Sequence, residues 1–147
     1  MKPFIVNKNL SFTLIILLLI GCSNIIDEKD LVERASIKYL KNNDVPFTGE
    51  VVSQFDNGQI QIEGQYNEGK RFGVWIEYYN NGSKKEEGKY KDGLKVEEWL
   101  TYFIDGIIKS KGVYISGLKD GLWKYWYNSG KKEKELQFLE NREDGKA

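Results

Sequence analysis

A single thiol, Cys22, and two carboxylate doublets, Glu86-Glu87 and Glu97-Glu98, are the groups in this sequence whose type and spacing could do chemistry. The doublets suggest general acid and base partners. On a strand, however, adjacent side chains point to opposite faces, so neither doublet can close on one substrate atom. Histidine is absent, and the serines and threonines have no evident base beside them, so nucleophilic catalysis lacks its second member. Carboxylates scattered at strand spacing match no first coordination shell. The expectation is a protein that is not an enzyme, with no catalytic residues, no metal and no cofactor.

Cys22 is the only cysteine and cannot form an intramolecular disulfide. Its surroundings indicate another fate. Met1, Lys2 and Lys8 form a weakly basic start, followed by the apolar run Leu10 to Ile20, LSFTLIILLLI, which is too short to span a bilayer as a helix and reads as a signal peptide over residues 1–21. The run closes in Leu18-Leu19-Ile20-Gly21-Cys22, with Ser23 and Asn24 after it. This resembles the lipobox of bacterial lipoproteins. The resemblance implies cleavage before Cys22, acylation of its thiol by palmitate-type chains, and a chain held by lipid to a membrane of the bacterial cell envelope, facing the periplasm or the exterior. Loss of residues 1–21 removes two lysines and leaves 20 basic against 22 acidic residues. A net charge of about −2 does not favour nucleic acid or other polyanions, so membrane contact is expected from the lipid.

The elements that must carry any function repeat every 24 residues. Gly58, Gly82, Gly106 and Gly130 form one column; Gly64, Gly88 and Gly112 another; Gly69, Gly93 and Gly117 a third; Gly49, Gly73, Gly121 and Gly145 a fourth. Of the 15 glycines only Gly21 lies off this lattice. Trp75, Trp99 and Trp123 keep the same step, as do Phe55, Tyr79, Phe103 and Tyr127, and Tyr66, Tyr90, Tyr114 and Phe138. Such a period means stacked units that bury one another's faces. Each unit has a run such as Val74 to Tyr79, then a polar run such as Lys85 to Tyr90, two strands of about six residues. Between them stand Asn57-Gly58, Asn81-Gly82, Asp105-Gly106 and Ser129-Gly130, the first three favouring two-residue type I′ turns. The third glycine column, after Glu68, Asp92 or Ser116, marks the connection to the next unit.

With Asn81 and Gly82 as the turn, Trp75 falls opposite Gly88, Gly73 opposite Tyr90, Val51 opposite Gly64 and Trp99 opposite Gly112. In the last unit Leu136 falls opposite Trp123. The register predicts each indole over the glycine it pairs with, and it places Glu77 opposite Glu86. Trp75, Tyr79 and Tyr90 then share the internally packed face with the glycines. Val74, Ile76 and Tyr78 share the other with Lys85, Glu87 and Lys89. On that second face Tyr78, Tyr102 and Trp126 recur once per repeat, about 10 Å apart for two strands per unit, a row suited to an extended peptide or glycan. Rings that merely cover their own sheet are the competing reading. Lys84-Lys85 and Lys131-Lys132 are followed at once by Glu86, Glu87, Glu133 and Glu135, and read as solvated hairpin edges; Asn81-Gly82-Ser83 reads as a turn.

The pattern Gly-x-Trp-x-x-Tyr-Tyr-x-x-Gly with a downstream Gly-x-Tyr-x-x-Gly resembles the MORN-type repeat in its bacterial variant form, over residues 47 to about 141, with Pro46-Phe47-Thr48-Gly49 as its lead-in. The departures are Glu97 for a unit's first glycine, and Leu136 and Asn141 in a last unit that serves as a cap. The resemblance implies an all-β, elongated, single-layer antiparallel meander of hairpins with units at about 49–72, 73–96, 97–120 and 121–145. Residues 22–35 read as a tether, with a short helix from Asp30 as the alternative, and Ser36 to Lys41 as a strand opening the repeat domain 36–147. Two function classes follow: a lipid-anchored binding or scaffolding module for a protein or glycan, and an antitoxin-like or immunity-like protein, a label that arrays of this type often carry.

Overall fold

The computed structural model describes residues 25–143. The expected signal segment 1–21, Cys22 and Gly145 lie outside the described residues. Along the chain run β1 (Ile26–Asp27), a 3-10 turn (Glu28–Asp30), β2 (Leu31–Arg34), β3 (Ile37–Leu40), β4 (Gly49–Gln54), β5 (Ile60–Asn67), β6 (Lys70–Tyr78), β7 (Lys84–Lys91), β8 (Leu94–Tyr102), β9 (Ile108–Ile115), β10 (Leu118–Trp126), β11 (Lys132–Leu139) and β12 (Arg142–Glu143). Strands β4 to β12 form an antiparallel meander, and β1 joins its first edge in parallel, Ile26 beside Val51 and Asp27 beside Val52. The predicted open sheet of consecutive hairpins is therefore present.

Its register follows the sequence in the body of each hairpin and departs from it at the turns. Trp75 pairs with Gly88, Gly73 with Tyr90 and Glu77 with Glu86; Val51 pairs with Gly64, Trp99 with Gly112, and Trp123 with Leu136. At Tyr78 the register slips by one, so that Tyr78 meets Lys84 and Lys85 leans to the indole face to meet Glu77 at 2.6 Å. The loop is not a two-residue type I′ turn. Gly82 N–H donates to the Tyr79 carbonyl and Tyr79 N–H to that of Ser83, and of Asn80, Asn81 and Gly82 only the glycine has a positive φ. This is a three-residue loop closed by a left-handed glycine. Type I′ geometry occurs instead at the connections between units: Glu68 and Gly69 (φ 49° and 73°) lie between the paired Asn67 and Lys70, and Asp92-Gly93, Ser116-Gly117 and Glu140-Asn141 repeat it.

A second departure makes the core. Between β5 and β6, Glu63 faces Ile76 and Gln65 faces Phe72, so Gly64 alone stands against Gly73, Val74 and Trp75. The same bulge sets Gly88 against 97–99 and Gly112 against 121–123. Each bulge opens on a left-handed residue, Gly73 (66°), Glu97 (59°) or Gly121 (67°), which turns the strand and swings the tryptophan back over the glycine of the preceding strand. The indole over Gly88 is thus Trp99 of the next hairpin and not its own partner Trp75: a Cβ built on Gly88 would lie 2.2 Å from Trp99 Cδ2, and Gly64 and Gly112 have Trp75 and Trp123 in the same place. Trp75 Nε1 donates to the Gln65 and Phe72 carbonyls, and Trp99 Nε1 to those of Lys89 and Val96, so the buried indole N–H groups are satisfied by backbone on both sides of the bulge. Phe47, Tyr66, Trp75, Tyr90, Trp99, Tyr114, Trp123 and Phe138 follow one another edge to face at 5.1–6.3 Å. The three indoles are only 2–4% exposed.

The stretch expected as a tether is folded from Ile26 onward. Ile26 and Leu31 pack with Phe47, Val51 and Tyr66, and Tyr66 O–H donates to Glu28. The β2–β3 hairpin closes this end. Lys38 N–H donates to the Gly69 carbonyl, Phe47 N–H donates to that of Lys38, and the Ile37 methyl occupies the space a Gly69 side chain would need.

Gly88→Ala tests the indole contact. Gly88 has no positive φ to explain it, so the cost is overpacking against Trp99, about 1–3 kcal/mol. Urea melts of Gly88→Ala, Trp99→Ala and the double variant should show the two losses adding to clearly less than their sum; full additivity would remove the contact from the account.

Candidate binding face

With the indoles committed inward, two regions offer themselves to ligands. On the opposite face Tyr78 and Tyr102 stand where expected, half-buried, one repeat apart. Neither hydroxyl is idle. Tyr78 O–H donates to Glu63 and Tyr102 O–H to Glu87, each acceptor on the preceding strand, and Lys84 holds Glu87 at 2.6 Å. Trp126 continues the column, but the position that supplies Glu63 and Glu87 is Lys111 in its unit, and Lys111 reaches Glu98 at 2.8 Å. The row is therefore periodic in ring type, with its first two members bonded to their own sheet and the third free of such a bond. These carboxylate partners were missed by the sequence reading, although Glu63 and Glu87 keep the 24-residue step.

At the β1 end the same face is hollowed into a groove of about 660 Å³ with Ile25, Val52, Ile60, Glu63, Val74 and Ile76 among its walls. Val74 is 52% exposed, and Leu122, two repeats later in the same column, 46%. A second cleft of about 540 Å³, between the β2–β3 hairpin and the turns at Gly69 and Gly93, is lined by charged groups that include Glu33, Lys38, Arg71 and Asp92.

On the indole face a basic column at the same period escaped notice: Arg71, Lys95 and Lys119 lie 4.3, 3.8 and 4.2 Å above the rings of Trp75, Trp99 and Trp123. Each cation covers its ring with an apolar stem and a charge attracted to the π face. Glu86 holds Lys95 at 2.8 Å. This column covers the three indoles, whose π faces are already in use.

Burial, and then the bonds to Glu63 and Glu87, push the Tyr78 and Tyr102 phenols up to about 12 from the ordinary 10.0. Each keeps its proton in the folded state while the unfolded chain loses it near pH 10. The contribution is therefore fully present below pH 10 and is lost as pH rises toward 12. Thermal melts across that interval should show Tyr78→Phe and Tyr102→Phe less sensitive to alkali than wild type; an unchanged slope would mean that these hydroxyls are not held as described.

The MORN repeat variant family model matches residues 47–68, 73–92 and 119–140. The intervening 93–118 contains Glu97, the residue in place of a glycine. No curated protein matches the chain. Residues 47–68, 73–92 and 119–140 are thus MORN-variant repeats, and the intervening 93–118 keeps their 24-residue lattice and their hairpin fold.

Proposed function

We propose that this chain is a bacterial envelope lipoprotein, held by lipid on Cys22, whose MORN-variant sheet works as a non-catalytic binding or scaffolding module. The observation that carries the binding reading is the contrast between the two faces. The indole face is filled by its own aromatics and capped by Arg71, Lys95 and Lys119, whereas the other leaves Val74, Leu122 and the Tyr78, Tyr102 and Trp126 column at least partly open to solvent. MORN repeats commonly serve binding or scaffolding, and such an open, periodic surface suits an extended protein or glycan. The anchoring half rests on the Leu10 to Ile20 run and on Gly21-Cys22.

Two measurements test the two halves separately. Radiolabelled palmitate should enter the wild-type chain and not Cys22→Ala, and only the wild type should partition into detergent; an unlabelled wild type removes the lipid. Replacing Tyr78, Tyr102 and Trp126 together by Ser should cost about 1.5–3 kcal/mol for each of the two lost tyrosine–carboxylate bonds, leave the sheet folded, and abolish cross-linking to the wild-type partner. A variant that unfolds, or that keeps every partner, makes this face structural. A secreted toxin recovered as that partner would turn the module into an immunity-like protein.

A further inference from the structure

The groove at the β1 end has a defined position relative to the proposed anchor. Only Ser23 and Asn24 separate Cys22 from Ile25, and Ile25 is itself a wall of the groove. Three Cα steps reach no further than about 11 Å. Beyond them β1 is fixed on β4 through Ile26 and Asp27, so the chain has no slack with which to stand off a membrane. We propose, building on the lipid reading above, that the anchored protein rests with this groove against the bilayer, its walls Ile25, Val52, Ile60, Val74 and Ile76 meeting the boundary between headgroups and acyl chains.

Ile25 and Val74 are 58% and 52% exposed without such a cover. Apolar side chains buried about 5–10 Å into that boundary are the ordinary means by which a surface lies on a membrane. No lysine or arginine lines the groove, while Glu50 and Glu63 do. The contact therefore rests on the apolar walls and gains nothing from anionic lipid. Sheet twist of roughly 20° to 25° per strand turns this face through about a quarter-turn between β6 and β10. Leu122, which occupies Val74's column two repeats on, is thereby carried out of the bilayer plane, and the Trp126 end of the face stays available to a partner.

The test uses the full chain purified from membranes and carrying Val74→Cys or Leu122→Cys labelled with bimane; an acylated Cys22 takes no label. Each protein is reconstituted into phosphatidylcholine vesicles containing a lipid with a doxyl quencher high on its acyl chain. Quenching should be severalfold stronger at position 74 than at 122, and should not be strengthened by phosphatidylglycerol or weakened by high salt. Should Val74→Cys fail to match the wild-type melt, Ile60→Cys replaces it. Equal quenching at the two positions, or stronger quenching at 122, overturns the docking while leaving the anchor intact. If Cys22 itself takes the label and the chain does not float with the vesicles, the lipid reading fails and the docking fails with it.

Discussion

The contact on which the rest of this structure depends is an indole lying over a glycine of the neighbouring strand. A one-layer sheet has no second layer to dry its face, and this sheet supplies the missing layer from its own bulges. Three requirements meet at each site. The neighbouring strand must carry no side chain under the ring, which fixes Gly64, Gly88 and Gly112. The bulge must begin with a left-handed residue, so that the strand kinks and the ring folds back. The buried indole N–H must find an acceptor, which backbone carbonyls of the flanking strands provide. Failure of any one would leave either a gap, a clash or an unpaired buried group.

Two kinds of glycine follow from this, and the third repeat separates them. Under the indoles the glycine is sterically required. At the start of the bulge it is chiefly conformationally preferred: nothing lies within 4 Å of a side chain built on Gly121, one on Gly73 would meet the end of the flexible Gln65 side chain, and at the same place in the third repeat Glu97 adopts a φ of 59°. That conformation costs an ordinary residue about 1–2 kcal/mol, and the exposed pair with Lys89 returns no more than about 1 kcal/mol. The aromatic row does not falter there, since Trp99 is buried as deeply as the other two indoles. Family pattern and packing requirement are thus different things, and the segment that departs from the first still obeys the second.

The period, the pairing of Trp75 with Gly88 and the commitment of one face to packing were legible because each depends on residue type and spacing alone. Turn geometry was not. Asn81-Gly82 suits a two-residue loop, but a three-residue loop places the same glycine in the left-handed region, and the flanking Tyr79 decides between them by its hydrogen bonds. The indole's true neighbour was hidden for a related reason: pairing within a hairpin says which positions face each other, and a ring that folds back over a bulge crosses to the adjacent hairpin. Residues 26–34 gave too little alternation to show a two-residue parallel strand, which exists only because Ile26 finds Val51. The Arg71, Lys95 and Lys119 column and the Glu63 and Glu87 pair stood at the visible period but were masked by the abundance of charge around them.

The connections between units have a kinetic meaning. Gly69, Gly93, Gly117 and Asn141 each donate their N–H to a carbonyl 22 residues upstream, on Phe47, Arg71, Lys95 and Lys119, and every antiparallel pair joins consecutive strands. No contact between repeats waits for a distant part of the chain, so loop closure costs little for so β-rich a protein. A chain that emerges from its N-terminus can fold one hairpin at a time on the completed edge, with β1 and the β2–β3 hairpin as the finished starting plate. At the far end, among the described residues, β12 covers only Phe138 and Leu139 of β11. Fraying therefore has a direction, from the last strand inward, and the repeats nearest the start of the array outlast the others.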